Sequence, residues 1–61
     1  MEKRYKYFVR TWGSWTSDGE SVVRISVHFA TEQDHERELE AGEYLTDEMP
    51  ESGEGIILTV H

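Results

Sequence analysis

The segment GSWTSDGES, residues 13–21, separates two stretches in which apolar and polar residues alternate. Asp18 and Gly19 near its centre are typical of a two-residue β-hairpin turn, because a type I′ turn needs positive φ at both central positions. Such a turn places Ser17 opposite Glu20 and pairs the two stretches as antiparallel strands. A wider loop within the same segment is the alternative, and it would shift the register.

The paired stretches are rich in aromatic and β-branched residues, which favour strands. With the two-residue turn, Trp12 faces Ile25 and Phe8 faces Phe29. One sheet face then belongs to the core, while the other carries large side chains that nothing in the chain covers. The predicted core consists of Phe8, Trp12, Val23, Ile25, Val27, Phe29, Leu39, Leu45, Ile56, Leu58 and Val60.

Residues 31–42, TEQDHERELEAG, have the ends of a helix. Thr31 is a suitable N-cap with Asp34 as its capping-box partner, and Gly42 fits the position just past the last turn. The apolar stripe is thin, so packing through Leu39 has to hold the helix.

A third strand is predicted at GIILTVH, residues 55–61, because it alternates apolar residues after a glycine. Residues 43–47 fit either a last helical turn or a short strand. The sequence therefore predicts a single α+β domain, residues 1–61, with a small antiparallel sheet in ββαβ order.

Composition limits where and how this chain works. A domain of 61 residues has a small core, so a homo-dimer or higher oligomer is expected. The absence of Cys excludes disulfides and thiolate metal sites. No apolar run has the length of a membrane span, and no signal peptide is recognisable, so we expect a cytoplasmic protein without membrane contact.

Charge is divided unevenly along the chain, whose net charge is -7. Residues 1–30 have five cations against three acids, giving +2, whereas residues 31–61 have one Arg against ten acids, giving -9. Such polarity indicates an interaction surface for a protein with a basic surface. The predicted partner-binding carboxylates are Glu32, Asp34, Glu36, Glu40, Glu43, Asp47, Glu48 and Glu51.

An inhibitor or adaptor fits this pattern best. Spaced along a helix and the loop after it, the carboxylates would imitate a nucleic-acid backbone for a partner with a basic groove. Small viral proteins that disable host nucleases or defence complexes have similar size and acidity, so an anti-defence role is one form of this hypothesis.

Two further hypotheses stay open. One is a homo-oligomeric binder of a small anionic ligand such as a nucleotide, because Arg and aromatic side chains pair with and stack on such ligands. Its predicted face consists of Tyr5, Tyr7, Arg10, Trp15 and Arg24. The other is a structural oligomer, in which the basic first strand meets the acidic helix of a neighbouring copy.

Motifs for catalysis are missing. The run Asp34-His35-Glu36 is no catalytic dyad, because consecutive helix residues point in different directions. HEREL lacks the second His of HExxH, and neither the EF-hand nor the P-loop pattern is met. We therefore expect no enzyme activity, no cofactor and no metal. Direct nucleic-acid binding is not expected at an isoelectric point of about 4.7, although KRYKYFVR interleaves basic and aromatic residues.

Overall fold

A computed structural model describes residues 4–61 as a four-stranded sheet with one short helix. Along the chain the elements are β1 (Tyr7–Trp15), β2 (Ser21–Phe29), α1 (Glu32–Glu36), β3 (Glu43–Thr46) and β4 (Ile56–Val60). The strands lie in the order β3-β1-β2-β4, with β2 and β4 parallel and the other pairs antiparallel. Within the described residues, no helix is long and apolar enough to cross a membrane.

The fold is α+β, as predicted, but two details of the prediction are wrong. The element order is ββαββ, because residues 43–46 form a strand beside β1. The sheet is mixed, because β4 pairs in parallel with β2. The final strand itself lies where the sequence predicted it.

The hairpin loop has three residues, 17–19, and the predicted two-residue turn is wrong. The Thr16 N–H donates to the Glu20 carbonyl at 3.0 Å, and the Gly19 N–H donates to the Thr16 carbonyl at 2.9 Å. Gly19 has a φ of 86°, whereas no residue other than glycine has positive φ among the described residues. This is a type I turn followed by a glycine in the left-handed conformation, which is the common form of a three-residue hairpin loop.

The extra loop residue shifts the register of the whole hairpin by one. Trp12 lies opposite Arg24 instead of Ile25, and Val9 lies opposite Val27. Because side chains alternate between faces, a one-residue shift moves every residue of β1 to the other face relative to β2. Val9 therefore joins the central valine of β2, and Trp12 leaves the predicted core.

The register defines two faces of the sheet. The helix face, against which α1 packs, includes Phe8, Arg10, Trp12, Ser14, Val22, Arg24, Ser26, His28, Leu45 and Ile57. The valine face includes Tyr7, Val9, Trp15, Val23, Ile25, Val27, Phe29, Tyr44, Ile56, Leu58 and Val60.

Both faces contribute to a small core. Its buried apolar residues are Phe8 and Val22 on the helix face, and Val9, Ile25 and Val27 on the valine face. Four members of the predicted core are exposed instead. They are Trp12 (44% exposed), Val23 (44%), Phe29 (66%) and Val60 (57%). The shifted register explains this for Trp12, Val23 lies opposite Gly13, and Phe29 and Val60 end their strands.

The helix begins as predicted and ends early. Thr31 is the N-cap, and both halves of the capping box form with Asp34. The helix ends at Glu36, and Arg37 is extended at φ -85° and ψ 157°. A thin apolar stripe and repelling carboxylates four residues apart give the next turns little support. Gly42 has a φ of 87°, but it turns the chain into β3 and does not end the helix.

The chain crosses the sheet twice. The first crossing, from β2 to β3, passes over the helix face. The second, residues 47–55, runs from β3 at one edge to β4 at the other. Val9 and Val27 are completely buried on the valine face, where they cluster with Ile25, and Tyr7, Ile56 and Leu58 pack against this cluster.

Candidate functional site

Three of the predicted partner-binding carboxylates form ion pairs with described side chains. Asp34 is buried, with 8% of its surface exposed. Glu43 receives two hydrogen bonds from the Arg37 guanidinium, each 3.2 Å long. Glu32 pairs with Arg4 at 3.1 Å, but both of these side chains are largely exposed to solvent.

Asp34 joins the helix to the sheet. One of its carboxylate oxygens accepts the Thr31 N–H at 3.0 Å and lies 3.0 Å from Nε2 of His28 on β2. Burial by itself raises the pKa of Asp34, but the hydrogen bonds from Thr31 and His28 outweigh it, and the pKa is lowered. The folded protein therefore holds this carboxylate ionised.

Arg37 connects the same site to β3. Its guanidinium lies 3.6 Å from Asp34, bonds Glu43, and stands 4.9 Å from the centre of the Phe8 ring. The Phe8 ring stacks in turn on His28, with ring centres 4.8 Å apart. The hydrogen bonds between Arg37 and Glu43 lower the pKa of the Glu43 carboxyl and raise the pKa of the Arg37 guanidinium.

This cluster was not predicted from the sequence. The available signal was Arg37, the one Arg or Lys among the ten acids of the second half. A lone cation in such a stretch is expected to be bound internally, because it has many carboxylates within reach.

The lowered pKa values of Asp34 and Glu43 predict acid sensitivity. A carboxylate with a lowered pKa contributes its full stability above its ordinary pKa, and the contribution is lost as the pH falls through the lowered value. The ordinary values are 3.8 and 4.5. We expect the free energy of unfolding to fall as the pH drops below about 4.5.

Urea unfolding curves between neutral pH and about pH 3 measure this loss. Asp34→Asn removes one titrating group, so its stability should decline less with acid than that of the wild type. An equal decline in both proteins would contradict the role assigned to Asp34.

The remaining carboxylates form two acidic segments, residues 36–40 and residues 47–54, which precede and follow β3 in the chain. Asp47 accepts the Lys6 N–H at 3.1 Å. Six others are exposed and form no ion pair within the described residues. They are Glu36, Glu38, Glu40, Glu48, Glu51 and Glu54.

The predicted ligand face does not form one surface. Tyr7 and Trp15 lie on the valine face, whereas Arg10 and Arg24 lie on the helix face. Tyr5 precedes β1, and its N–H donates to Nε2 of His35 on the helix. The shifted register is the reason for this separation.

A different set comes together on the exposed half of the helix face. The Arg10 guanidinium lies 5.7 Å from the centre of the Trp12 ring, and Nε of Arg24 donates to the Ser14 hydroxyl at 3.0 Å. Neither arginine forms an ion pair with a described carboxylate. Glu43 lies opposite Arg10 in the β-ladder, but its carboxylate is bound by Arg37.

Comparisons with known proteins add no assignment: no protein-family model matches the sequence, and no curated protein or solved structure is significantly similar to it. Between residues 4 and 61, no group of three His, Asp or Glu side chains is placed to hold a metal ion. The surface chemistry of the described chain is therefore the basis for a functional proposal.

Proposed function

We propose that this is a non-enzymatic cytoplasmic inhibitor or adaptor that docks its acidic segments on a basic surface of another protein. The observation that carries the proposal is the set of six exposed carboxylates that form no ion pair with a described residue. Arg37 is the one Arg or Lys in that half of the chain, and it is engaged by Asp34 and Glu43. The acidic segments therefore contain no Arg or Lys that neutralises these six carboxylates.

Electrostatic attraction favours a positively charged partner for such a surface. Carboxylates of one sign in neighbouring segments raise the local potential, which speeds encounter with a basic protein and makes binding sensitive to salt. Asp34 and Glu43 contribute indirectly, because they fix the course of the chain between the helix and β3. A nucleic-acid-binding or nuclease-type groove is the kind of basic site that such a concentration of negative charge fits.

A second candidate function rests on Arg10, Trp12 and Arg24. Two arginines without carboxylate partners, beside a tryptophan that is 44% exposed, suit a planar anionic ligand such as a nucleotide. This function uses side chains of β1 and β2 and needs none of the carboxylates in the acidic segments.

Matched charge variants distinguish the two candidates. Glu36→Gln with Glu40→Gln removes two charges from an acidic segment, and Asp18→Asn with Glu20→Gln removes two from the hairpin tip. Each protein is used as bait in a cell lysate treated with nuclease, and the captured protein is eluted with a salt gradient. We expect the first pair to lower the salt needed for elution and to weaken capture at least tenfold.

The tip variant has the same net charge as the first pair, but its substitutions lie outside the acidic segments, so it should bind like the wild type. Capture that is equal for all three proteins would contradict docking through the acidic segments. Arg10→Gln with Arg24→Gln tests the second candidate: nucleotide-induced quenching of Trp fluorescence should be present in the wild type and lost in this variant.

A further inference from the structure

The helix face of the sheet has two unlike halves. One half is covered, because Asp34 of α1 bonds His28 and the Arg37 guanidinium lies over the Phe8 ring. The other half, nearer the hairpin turn, carries a partly exposed tryptophan between two arginines. We call this half the arginine surface, and it consists of Arg10, Trp12, Ser14 and Arg24.

The two halves differ in charge as well as in cover. No carboxylate between residues 4 and 61 forms an ion pair with Arg10 or Arg24. Along α1 and the acidic segment 36–40, the exposed carboxylates of Glu36, Glu38 and Glu40 likewise form no ion pair with a described residue. One molecule therefore presents a positive surface and a negative surface that are complementary to each other.

The halves also match in size. α1 has five residues, so it is about 8 Å long, and it stands above the sheet by about 10 Å, the diameter of a helix. From Arg10 to Ser14, β1 extends for about 13 Å along the uncovered half. The arginine surface is therefore long enough to receive one short helix of this size.

We propose that the arginine surface binds α1 and the acidic segment 36–40 of a second copy, in a twofold dimer whose two molecules are turned end for end. A twofold axis makes the contact reciprocal, so each molecule contributes both surfaces and the assembly closes at two copies. Arg10 and Arg24 then lie against Glu36 of the partner subunit and the partner subunit's Glu40. Trp12 packs against the helix of the second copy.

A second copy is the occupant that the chain itself supplies. The unpaired arginines and the unpaired carboxylates belong to the same face, in a protein whose core has five buried apolar residues in a chain of 61. Domains of this size commonly gain the missing burial by association. Exposed ion pairs contribute little on their own, and burial of the Trp12 ring adds the apolar area that a stable contact needs.

This dimer does not depend on the proposed docking function, although both use the acidic segment 36–40. Dimerisation covers that segment together with the arginine surface, and the acidic segment 47–54 stays outside the pairing. A basic partner protein would therefore compete with the second copy. The purified protein alone tests the dimer, so failure of the dimer proposal leaves the docking proposal unchanged.

Sedimentation velocity over a range of concentrations tests the proposal, at low ionic strength and at about 1 M salt. At low ionic strength we expect a species of about twice the 7.1 kDa chain mass. The dissociation constant should rise at least tenfold at about 1 M salt, because the Debye length there is only about 3 Å.

Charge reversal identifies the two surfaces. Arg10→Glu with Arg24→Glu reverses the arginine surface, and Glu36→Lys with Glu40→Lys reverses the acidic segment. Each variant alone should be a monomer, because like charges then face each other. An equimolar mixture should form the dimer again, since both contacts of the mixed pair join opposite charges. Circular dichroism before mixing checks that each variant is folded.

Glu51→Lys with Glu54→Lys is the matched control. It changes the net charge by the same amount as reversal of the segment 36–40, but its substitutions lie outside the proposed contact, so the dimer should persist. A monomeric control would show that total charge governs association and would overturn the proposal. So would a wild-type monomer at every concentration, an affinity that is unchanged at high salt, or a mixture of the two reversal variants that stays monomeric.

Fluorescence quenching follows the predicted burial of Trp12. The chain has two tryptophans, and Trp15 is 70% exposed, so Trp15→Phe leaves Trp12 as the single fluorophore with little disturbance of the fold. Quenching of Trp12 by acrylamide should be at least twofold weaker in the concentrated protein than after dilution to monomer. Equal quenching in both would contradict a contact through the arginine surface.

Discussion

Gly42→Ala is expected to destabilise the protein by about 2–4 kcal/mol, a large part of the stability of a small domain. Gly42 has a φ of 87°, which costs a residue with a side chain about 1–2 kcal/mol. An added Cβ would also lie 2.6 Å from the carbonyl oxygen of Thr11. To relieve that contact, the turn has to move away from β1.

Such a movement would break the hydrogen bonds that hold the turn before β3 against β1. The Thr11 N–H and hydroxyl both donate to the Gly42 carbonyl, at 2.8 and 3.1 Å. These bonds join the turn to the edge of β1 just before Glu43 begins the strand. The substitution therefore affects the strand that lies between the two acidic segments.

Gly13→Ala is the matched control. Gly13 pairs regularly with Val23 in the middle of the hairpin, and a Cβ there has no neighbour within 4 Å. We expect it to be neutral or to stabilise by about 0.5–1 kcal/mol, because alanine restricts the unfolded chain. Urea unfolding of both variants measures the difference. Equal stability of the two would contradict the geometry of the turn at Gly42.

Phe8→Ala is expected to cost about 3–5 kcal/mol, the usual range for removing a buried aromatic ring. Phe8 is 4% exposed and lies beneath the connection from the helix to β3. Its ring contacts His28 and the Arg37 guanidinium, so its loss removes packing from both the sheet and the Arg37 side chain, which is paired with Asp34 and Glu43. The cavity would lie where the helix face is most completely covered.

Trp12→Ala serves as the comparison on the same face. Trp12 is larger than Phe8, but it is 44% exposed and its main described contact is with Arg10. We expect a cost of about 1 kcal/mol, because much of the ring is already in water. Thermal and urea unfolding of the two variants give the order of the effects. A greater loss for Trp12→Ala would support the register with the two-residue turn.

Local signals in the sequence predicted local structure well. The capping box at Thr31 and Asp34 was predicted from residue types alone, because both partners lie within one turn. Gly42 was predicted to lie just past the end of the helix, and it has the left-handed conformation typical of that position, but it turns the chain into β3. The predicted helix end at Gly42 was wrong, because the length of the helix depends on tertiary packing, and a short apolar stripe does not specify that packing.

Register was not predictable with the same certainty. Asp18-Gly19 fits a two-residue turn, and it equally fits the last two positions of a three-residue loop. The difference decides whether Val9 or Trp12 shares a face with Ile25 and Val27, and it leaves the apolar pattern of both strands unchanged. Both faces of β1 carry large apolar residues, so the pattern does not favour one register.

The same limit applies to the candidate site. The exposed carboxylates follow from composition, since charged residues in connections face solvent. The internal use of Asp34 and Glu43 depends on where Arg37 and His28 lie, and His28 faces the helix only in the three-residue register. The cluster of Arg10, Trp12 and Arg24 depends on that register in the same way.

Hairpin register therefore determines which side chains of β1 and β2 share a face of the sheet, and NMR measures it directly. In an antiparallel sheet, the Hα atoms of a non-hydrogen-bonded pair lie close together and give a strong nuclear Overhauser effect. We expect this effect between Val9 and Val27, and again between Thr11 and Ile25. Strong Hα contacts from Arg10 to Val27 and from Trp12 to Ile25 would instead show the two-residue turn and contradict the assignment of side chains to the two faces.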